Sequence, residues 1–237
     1  MNLLMERSFV IFGVAHSLAM LVTLLLAVGL TRYARAHKCP DDYRPLRFVM
    51  GGLLVLAVIL DPVLTLVRYG VGAYGWGMVK DNSFPFFLCD VVALLLAWAL
   101  FTKNQRLAEI GYLWGLAGTL QGLIMPTLWF GPKTWEFYAF FLEHGGVPIA
   151  AVFLVWGMRI IPEKGAFRRA VIWSVSYVGI VMLLNVAMGE NYGFLNGKPD
   201  AETFFDYMGP WPYYLVTLHV VAFALYGLLL WIAPKRV

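Results

Sequence analysis

Cysteine and histidine side chains placed inside apolar segments are the residues of this chain best suited to covalent chemistry. Cys89 stands beside Asp90 near the start of the run FPFFLCDVVALLLAWALF, residues 84–101, and His144 follows Glu143 in LEHGGVP. Pro85 suits the first turn of a helix, which sets Cys89 just inside the positive end of the helix dipole. That position favours thiolate, and a neighbouring histidine favours it further. A cysteine with a histidine base is the arrangement for acyl transfer through a thioester. His144 is the first candidate base, with His16 and His219 as alternatives. Asp90 opposes thiolate but, like Asp61, is able to orient a histidine. Gln121, Asn185 or His16 would serve as hydrogen-bond donors to a developing oxyanion.

The same side chains allow other readings. Three histidines with Asp61, Asp90 or Cys89 are zinc-ligand types, but no local signature such as HExxH accompanies them, and no metal or cofactor is expected. Buried Asp, Glu and His also line proton and ion pathways, against which the inner half of the membrane lacks a matching relay. Taken one at a time, each polar group also has a plain packing role, as a helix-to-helix hydrogen bond or, for Cys89, as a small apolar filler.

The elements that must position these groups are membrane helices. Of the 237 residues, 61% are hydrophobic and only 14% charged, whereas soluble domains carry roughly 25% charged residues. One integral membrane domain, residues 1–237, is expected: an all-α bundle of about seven spans at 8–31, 47–68, 85–102, 108–129, 136–158, 169–189 and 211–233. The stretch from Ser8 to Leu30 carries no Asp, Glu, Lys or Arg and exceeds the 7–15 apolar residues of a signal peptide, so it reads as a retained span.

Basic residues set the orientation. Segments on one side carry Arg32, Arg35, Lys38, Arg44, Arg47, Lys103, Arg106, Arg159, Lys164, Arg168, Arg169, Lys235 and Arg236. The other side carries Arg7, Arg68, Lys80, Lys133 and Lys198, and the two groups together make up the 18 Lys and Arg of the chain. Positive loops stay in the cytoplasm, so the N-terminus is expected outside and the C-terminus inside. The net charge of +4 is then a consequence of topology and is no nucleic-acid footprint. Cys39 falls inside and Cys89 near the outer surface, too far apart for a disulfide.

His16, Asp61, Cys89, Asp90, Gln121, Glu143, His144, Asn185 and His219 all fall in the outer halves of their spans, which predicts a shared polar cavity open to the outer side. Pro62, Pro126 and Pro148 fall at similar depth, where each is expected to free a carbonyl and widen the bundle. The outer loop, residues 190–211, is aromatic and acidic. It is expected to lie at the interface, as an anchor or as a lid, with Asp200 capping a short helix that ends near Gly209.

The segments FPFFLCDVVALL, EHGGVPIAAVF and NYGFLNGKP…DYMGPWPYY resemble the YwaF-like family of bacterial integral membrane proteins over nearly the whole chain. That family is distantly similar to the eukaryotic transmembrane protein 164 family, whose members move acyl chains onto phospholipids with a Cys and a His. The resemblance implies a nucleophile at Cys89, a base at His144, membrane lipids as partners, and a multi-pass protein of the bacterial inner membrane. A lipid acyltransferase or acyl hydrolase is therefore the expected function. The alternative is a non-enzymatic transporter or a lipid- or ligand-binding protein.

Overall fold

A computed structural model describes residues 8–37, 42–200 and 203–235. Cys39, Arg7, Lys38 and Arg236, used above for topology, lie outside the described residues. Nine α-helices follow one another among the described residues: α1 Val14–Ala36, α2 Arg44–Tyr69, α3 Ala73–Asn82, α4 Leu88–Thr102, α5 Gln105–Trp114, α6 Leu120–Ile124, α7 Trp135–Val152, α8 Ala166–Met188 and α9 Tyr213–Ile232. They contain no strand. A π-helical turn, Gly115–Thr119, joins α5 to α6, and a second, Phe153–Gly157, extends α7.

Five helices are long and apolar enough to cross a membrane: α1, α2, α7 with its π turn, α8 and α9. The stretch expected to span at 85–102 yields the 15-residue α4, and the one at 108–129 yields the α5–α6 run, which starts earlier and stops at Ile124. The difference at Ile124 has a local cause. Pro126 disfavours helical backbone at Met125, so this proline follows the helix instead of kinking it. Pro62 and Pro148 do sit inside α2 and α7. The first span also starts later than expected, at Val14, which moves His16 into the first turn of α1.

α4 is the hub of the bundle. Its Val92, Ala93, Leu96, Ala97, Ala99 and Leu100 are buried, against α2, α5 and α7. Helices this close need a small residue at the crossing: a Cβ on Gly111 of α5 would come within 2.5 Å of Leu96 Cδ2. Around this centre α1, α8 and α9 expose long apolar side chains such as Leu25, Leu183 and Trp231, the pattern of a surface bathed in lipid rather than water.

Short turns fix one end of the bundle. Lys103 adopts a left-handed conformation to stop α4, and Asn104 caps α5 by accepting from the N–H groups of Arg106 and Leu107. At this end the carboxylate of Glu109, 0% exposed, accepts from Arg169 Nε at 3.0 Å, Gln105 Nε2 at 3.2 Å and the Glu163 N–H at 2.8 Å.

Candidate functional site

The helices enclose a cavity of about 1260 Å³. Its walls come from α2, α4, the π turn with α6, α7, α8 and α9, and its roof from α3 and the 191–208 segment. Asp61, Cys89, Asp90 and Gln121 line it, as do Glu143, His144 and His219. Two of the expected residues do not.

His16 is 0% exposed and both ring nitrogens are engaged. Nδ1 accepts from the Phe12 N–H at 2.9 Å and Nε2 donates to the Leu123 carbonyl at 2.8 Å. Packed among Phe9, Phe12 and Phe141, it joins the start of α1 to the end of α6 and is neither a free base nor an oxyanion donor. Asn185 is 1% exposed. Its amide donates to the Tyr192 carbonyl and its carbonyl accepts from the Tyr192 N–H, so it caps the α8 exit instead of facing substrate.

The helix that carries Cys89 begins later than the proline suggested. Pro85 lies in a turn, Phe87 is the cap, and Leu88 is the first helical residue. Cys89 is thus the second residue of α4, still closer to the unsatisfied N–H groups of the first turn. Its thiol neighbours are acidic. Sγ lies 4.0 Å from Asp90 Oδ2, and donor atoms of Cys89, Asp90 and Glu143 all fall within 4.8 Å of one another. Asp61, from α2, adds a third carboxyl to the same cavity. No Lys or Arg forms an ion pair with any of these three carboxyl groups among the described residues; Arg68, at the rim, is held by Glu136 and lies 4.1 Å over the Phe130 ring.

His144 has one committed and one free nitrogen. Nδ1 donates to the Phe140 carbonyl at 3.1 Å, and the ring stacks on Phe140 with centroids 3.9 Å apart. That fixes the tautomer with Nε2 as acceptor. Among the described residues, no hydrogen bond joins His144 to Cys89. His219 is arranged alike, with Nδ1 donating to the Leu215 carbonyl at 2.6 Å.

Glycine makes room for the imidazole: a Cβ on Gly122 would meet His144 Cδ2 at 2.6 Å and Nε2 at 2.9 Å. Gly122→Ala is therefore expected to displace the ring without removing any polar group. If His144 acts as a base, acyl-transfer rate should fall by about 10–100-fold, as displacements of about an ångström do, with the thermal midpoint shifted much less. Unchanged kinetics in this variant would separate His144 from the chemistry.

Other cavity residues were not singled out from sequence. Thr119 is 5% exposed and its hydroxyl has no partner. Tyr177 donates to the Phe86 carbonyl at 2.8 Å. Trp114, Ser174 and Tyr226 form a buried chain, with Trp114 Nε1 and Tyr226 Oη each 3.0 Å from Ser174 Oγ. The signal was present as hydroxyl-bearing residues within apolar runs, but weak, because Ser, Thr and Tyr are tolerated in any membrane helix.

The segment between α8 and α9 forms a wall of the cavity. Phe204 and Phe205 line it, while Tyr207, Trp211 and Tyr213 are exposed as an interfacial belt would be. The short helix Phe204–Met208 is capped by Thr203, whose hydroxyl accepts from the Phe205 N–H while Asp206 accepts from the Thr203 N–H. Asp200, expected as the cap, is exposed three residues too early in the chain. The segment is tied down at several points: Tyr192 donates to the Lys80 carbonyl, Lys80 pairs with Glu190 at 2.7 Å, and Trp211 Nε1 donates to the Leu195 carbonyl. Burial, and then the Glu190 and Asp81 carboxylates, push the Tyr192 phenol up to about 12, so it remains a donor across the physiological range.

These features define a multi-pass, all-helical membrane protein with a partly open, largely apolar cavity between its helices, into which several polar side chains face. The TMEM164 family model matches residues 11–230, and the chain belongs to that family. No curated protein and no solved structure matches it.

Proposed function

We propose that the protein is a membrane enzyme that transfers or hydrolyses an acyl chain of a phospholipid or other acyl lipid through a thioester on Cys89. The observation that carries this reading is that a single cavity is lined both by the Cys89 thiol and by a histidine, His144, whose Nε2 is uncommitted. At about 1260 Å³ the cavity exceeds an ordinary small-molecule site of 300–1,000 Å³ and has room for an acyl chain beside a headgroup.

In this reading His144 Nε2 takes the thiol proton, with the Glu143 carboxylate beside the sulfur as relay. The sulfur attacks the ester carbonyl carbon, so that a C–S bond forms and the ester C–O bond breaks. The imidazolium then protonates the departing oxygen. An acceptor hydroxyl or water attacks the thioester by the same steps in reverse and restores the thiol. Gln121, which lines the cavity without a side-chain hydrogen bond among the described residues, donates to the oxyanion. Asp61 and Asp90 hold the polar wall.

The reading includes topology. α4 and the α5–α6 run join the five long helices to make seven spans, with the N-terminus outside and the C-terminus in the cytoplasm of a bacterial inner membrane. The uneven distribution of Lys and Arg and the YwaF-like resemblance support it, and a C-terminal reporter active only in the cytoplasm tests it.

A second reading is a lipid-binding or transport protein without catalysis. The carboxyl groups around Cys89 favour it, because negative charge opposes thiolate. Intact mass after incubation with phospholipid separates the two. One acyl adduct on the wild type, lost in both Cys89→Ser and His144→Ala, is the expected result. No adduct, together with a Cys89 inert to small thiol reagents, would leave the binding reading.

A further inference from the structure

We propose that Cys89, Asp90 and Glu143 form a zinc site, and that the metal-bound protein is a resting state in which the thiol is blocked. Three donors of compatible chemistry converge from α4 and α7: one sulfur and two carboxylate oxygens, all within 4.8 Å of one another. Tetrahedral zinc with bonds of about 2.0–2.3 Å holds its ligand atoms roughly 3.3–3.8 Å apart, so side-chain rotations of about an ångström close the site. The mixed S and O donor set suits zinc better than the all-oxygen cations, magnesium and calcium.

Charge makes the same point. Asp90 and Glu143 are 8% and 6% exposed, and neither has a Lys or Arg partner among the described residues. Buried carboxylates are paired, protonated or bound to a cation. Arg68 is committed to Glu136, Lys80 to Glu190 and Arg169 to Glu109, and Lys198, which also lines the cavity, pairs with none of these carboxyl groups among the described residues. Among the described residues, two polar atoms of residues lining the cavity have no hydrogen-bond partner: Glu143 Oε1, which belongs to one of the three donor groups, and the Thr119 hydroxyl in the π-helical turn. A dication held by the three donors would satisfy the first directly.

Zinc binding displaces the thiol proton to solvent and engages the sulfur lone pair that a thioester would need. The site therefore opposes acyl transfer rather than assisting it. The site itself stands or falls separately from the acyl-transfer reading, whereas its role as a resting state rests on that reading.

The test uses the full-length protein in detergent, stripped with chelator and titrated with Co²⁺ and then Zn²⁺. The expected result is a thiolate-to-cobalt charge-transfer band saturating at one equivalent, displaced by zinc. The band should be absent in Cys89→Ser, and cobalt affinity should fall at least about tenfold in Glu143→Gln and in Asp90→Asn, since even outer-sphere changes cost 10–100-fold. A second readout needs no variant: zinc should slow alkylation of the Cys89 peptide in the wild type, read apart from the Cys39 peptide, and chelator should restore it. No charge-transfer band, a band that survives Cys89→Ser, or alkylation indifferent to zinc would each overturn the site. An acyl adduct formed on metal-free protein would stand regardless of these outcomes.

Discussion

On the proposed acyl-transfer reading, Cys89→Ser is expected to lower transfer from phospholipid by on the order of a thousandfold or more, because it would remove the nucleophile on which the covalent step depends. Serine is shorter, and its hydroxyl is far harder to deprotonate than a thiol. Two carboxyl groups within reach of the side chain offer no positive charge to assist that loss. The fold has little at stake: the residue sits at the start of α4, before the fully buried stretch that begins at Val92, and the polar neighbours of its thiol are the Asp90 and Glu143 carboxyl groups. The variant should therefore keep its thermal midpoint within a few degrees while its initial rate, followed with a labelled phospholipid, falls to background. A variant that keeps a tenth of wild-type rate would dismiss Cys89 as nucleophile. A variant that loses rate only by unfolding would say nothing special about sulfur, and the midpoint distinguishes that case.

Much of this arrangement was legible in the chain because membrane helices obey simple rules. Apolar length identified the five long helices but not α3, and the depth of polar residues along the expected spans brought Asp61, Cys89, Gln121, Glu143 and His219 to one cavity. Depth along a helix says nothing about the angle around it, and there the reading thinned. His16 shares the depth of the others but turns toward Leu123, because a helix starting at Val14 places its ring beside the Phe12 N–H and the end of α6. Asn185 turns the other way, to the Tyr192 backbone. The pairing of Cys89 with Glu143 depends on how α4 and α7 are rotated against each other, which is set by Gly and Ala contacts deep in the bundle rather than by any local motif. Pro126 misled for a different reason: a proline inside an apolar run kinks a helix or ends it, and only the path of the following 125–134 segment decides which.

Glu109→Ala tests the opposite end of the molecule and is expected to be the most destabilising of the substitutions considered. Glu109 carries a charge into full burial at the start of α5, where sequence alone marks it as an ordinary polar residue at a helix end. Its two oxygens serve Arg169 from α8, Gln105 one turn earlier and the N–H of Glu163 in the α7–α8 connection, so one side chain fastens three segments. Removing it strips Arg169 of its carboxylate partner and takes away the acceptor of the Glu163 N–H bond. Breaking a buried pair from one side costs about 3–5 kcal/mol. Because Arg169 retains a side-chain exposure of 25% and is able to recover some hydration, the lower end, about 3 kcal/mol, is expected. In a chain of this size each kcal/mol moves the midpoint by about 2–4 °C, so a fall of about 6–12 °C in detergent is predicted. Arg106→Ala provides the contrast. Its side chain is 50% exposed, approaches Glu109 at 3.5 Å and pairs with the 33% exposed Glu163 at 3.1 Å, and exposed pairs are worth about 0–1 kcal/mol. If the two variants unfold at the same temperature, the buried carboxylate is not what fastens α5 to α8. If they differ as predicted, the clamp sets the register of α5 and of the π turn above it, and through that turn the placement of Thr119 and Gln121 in the cavity.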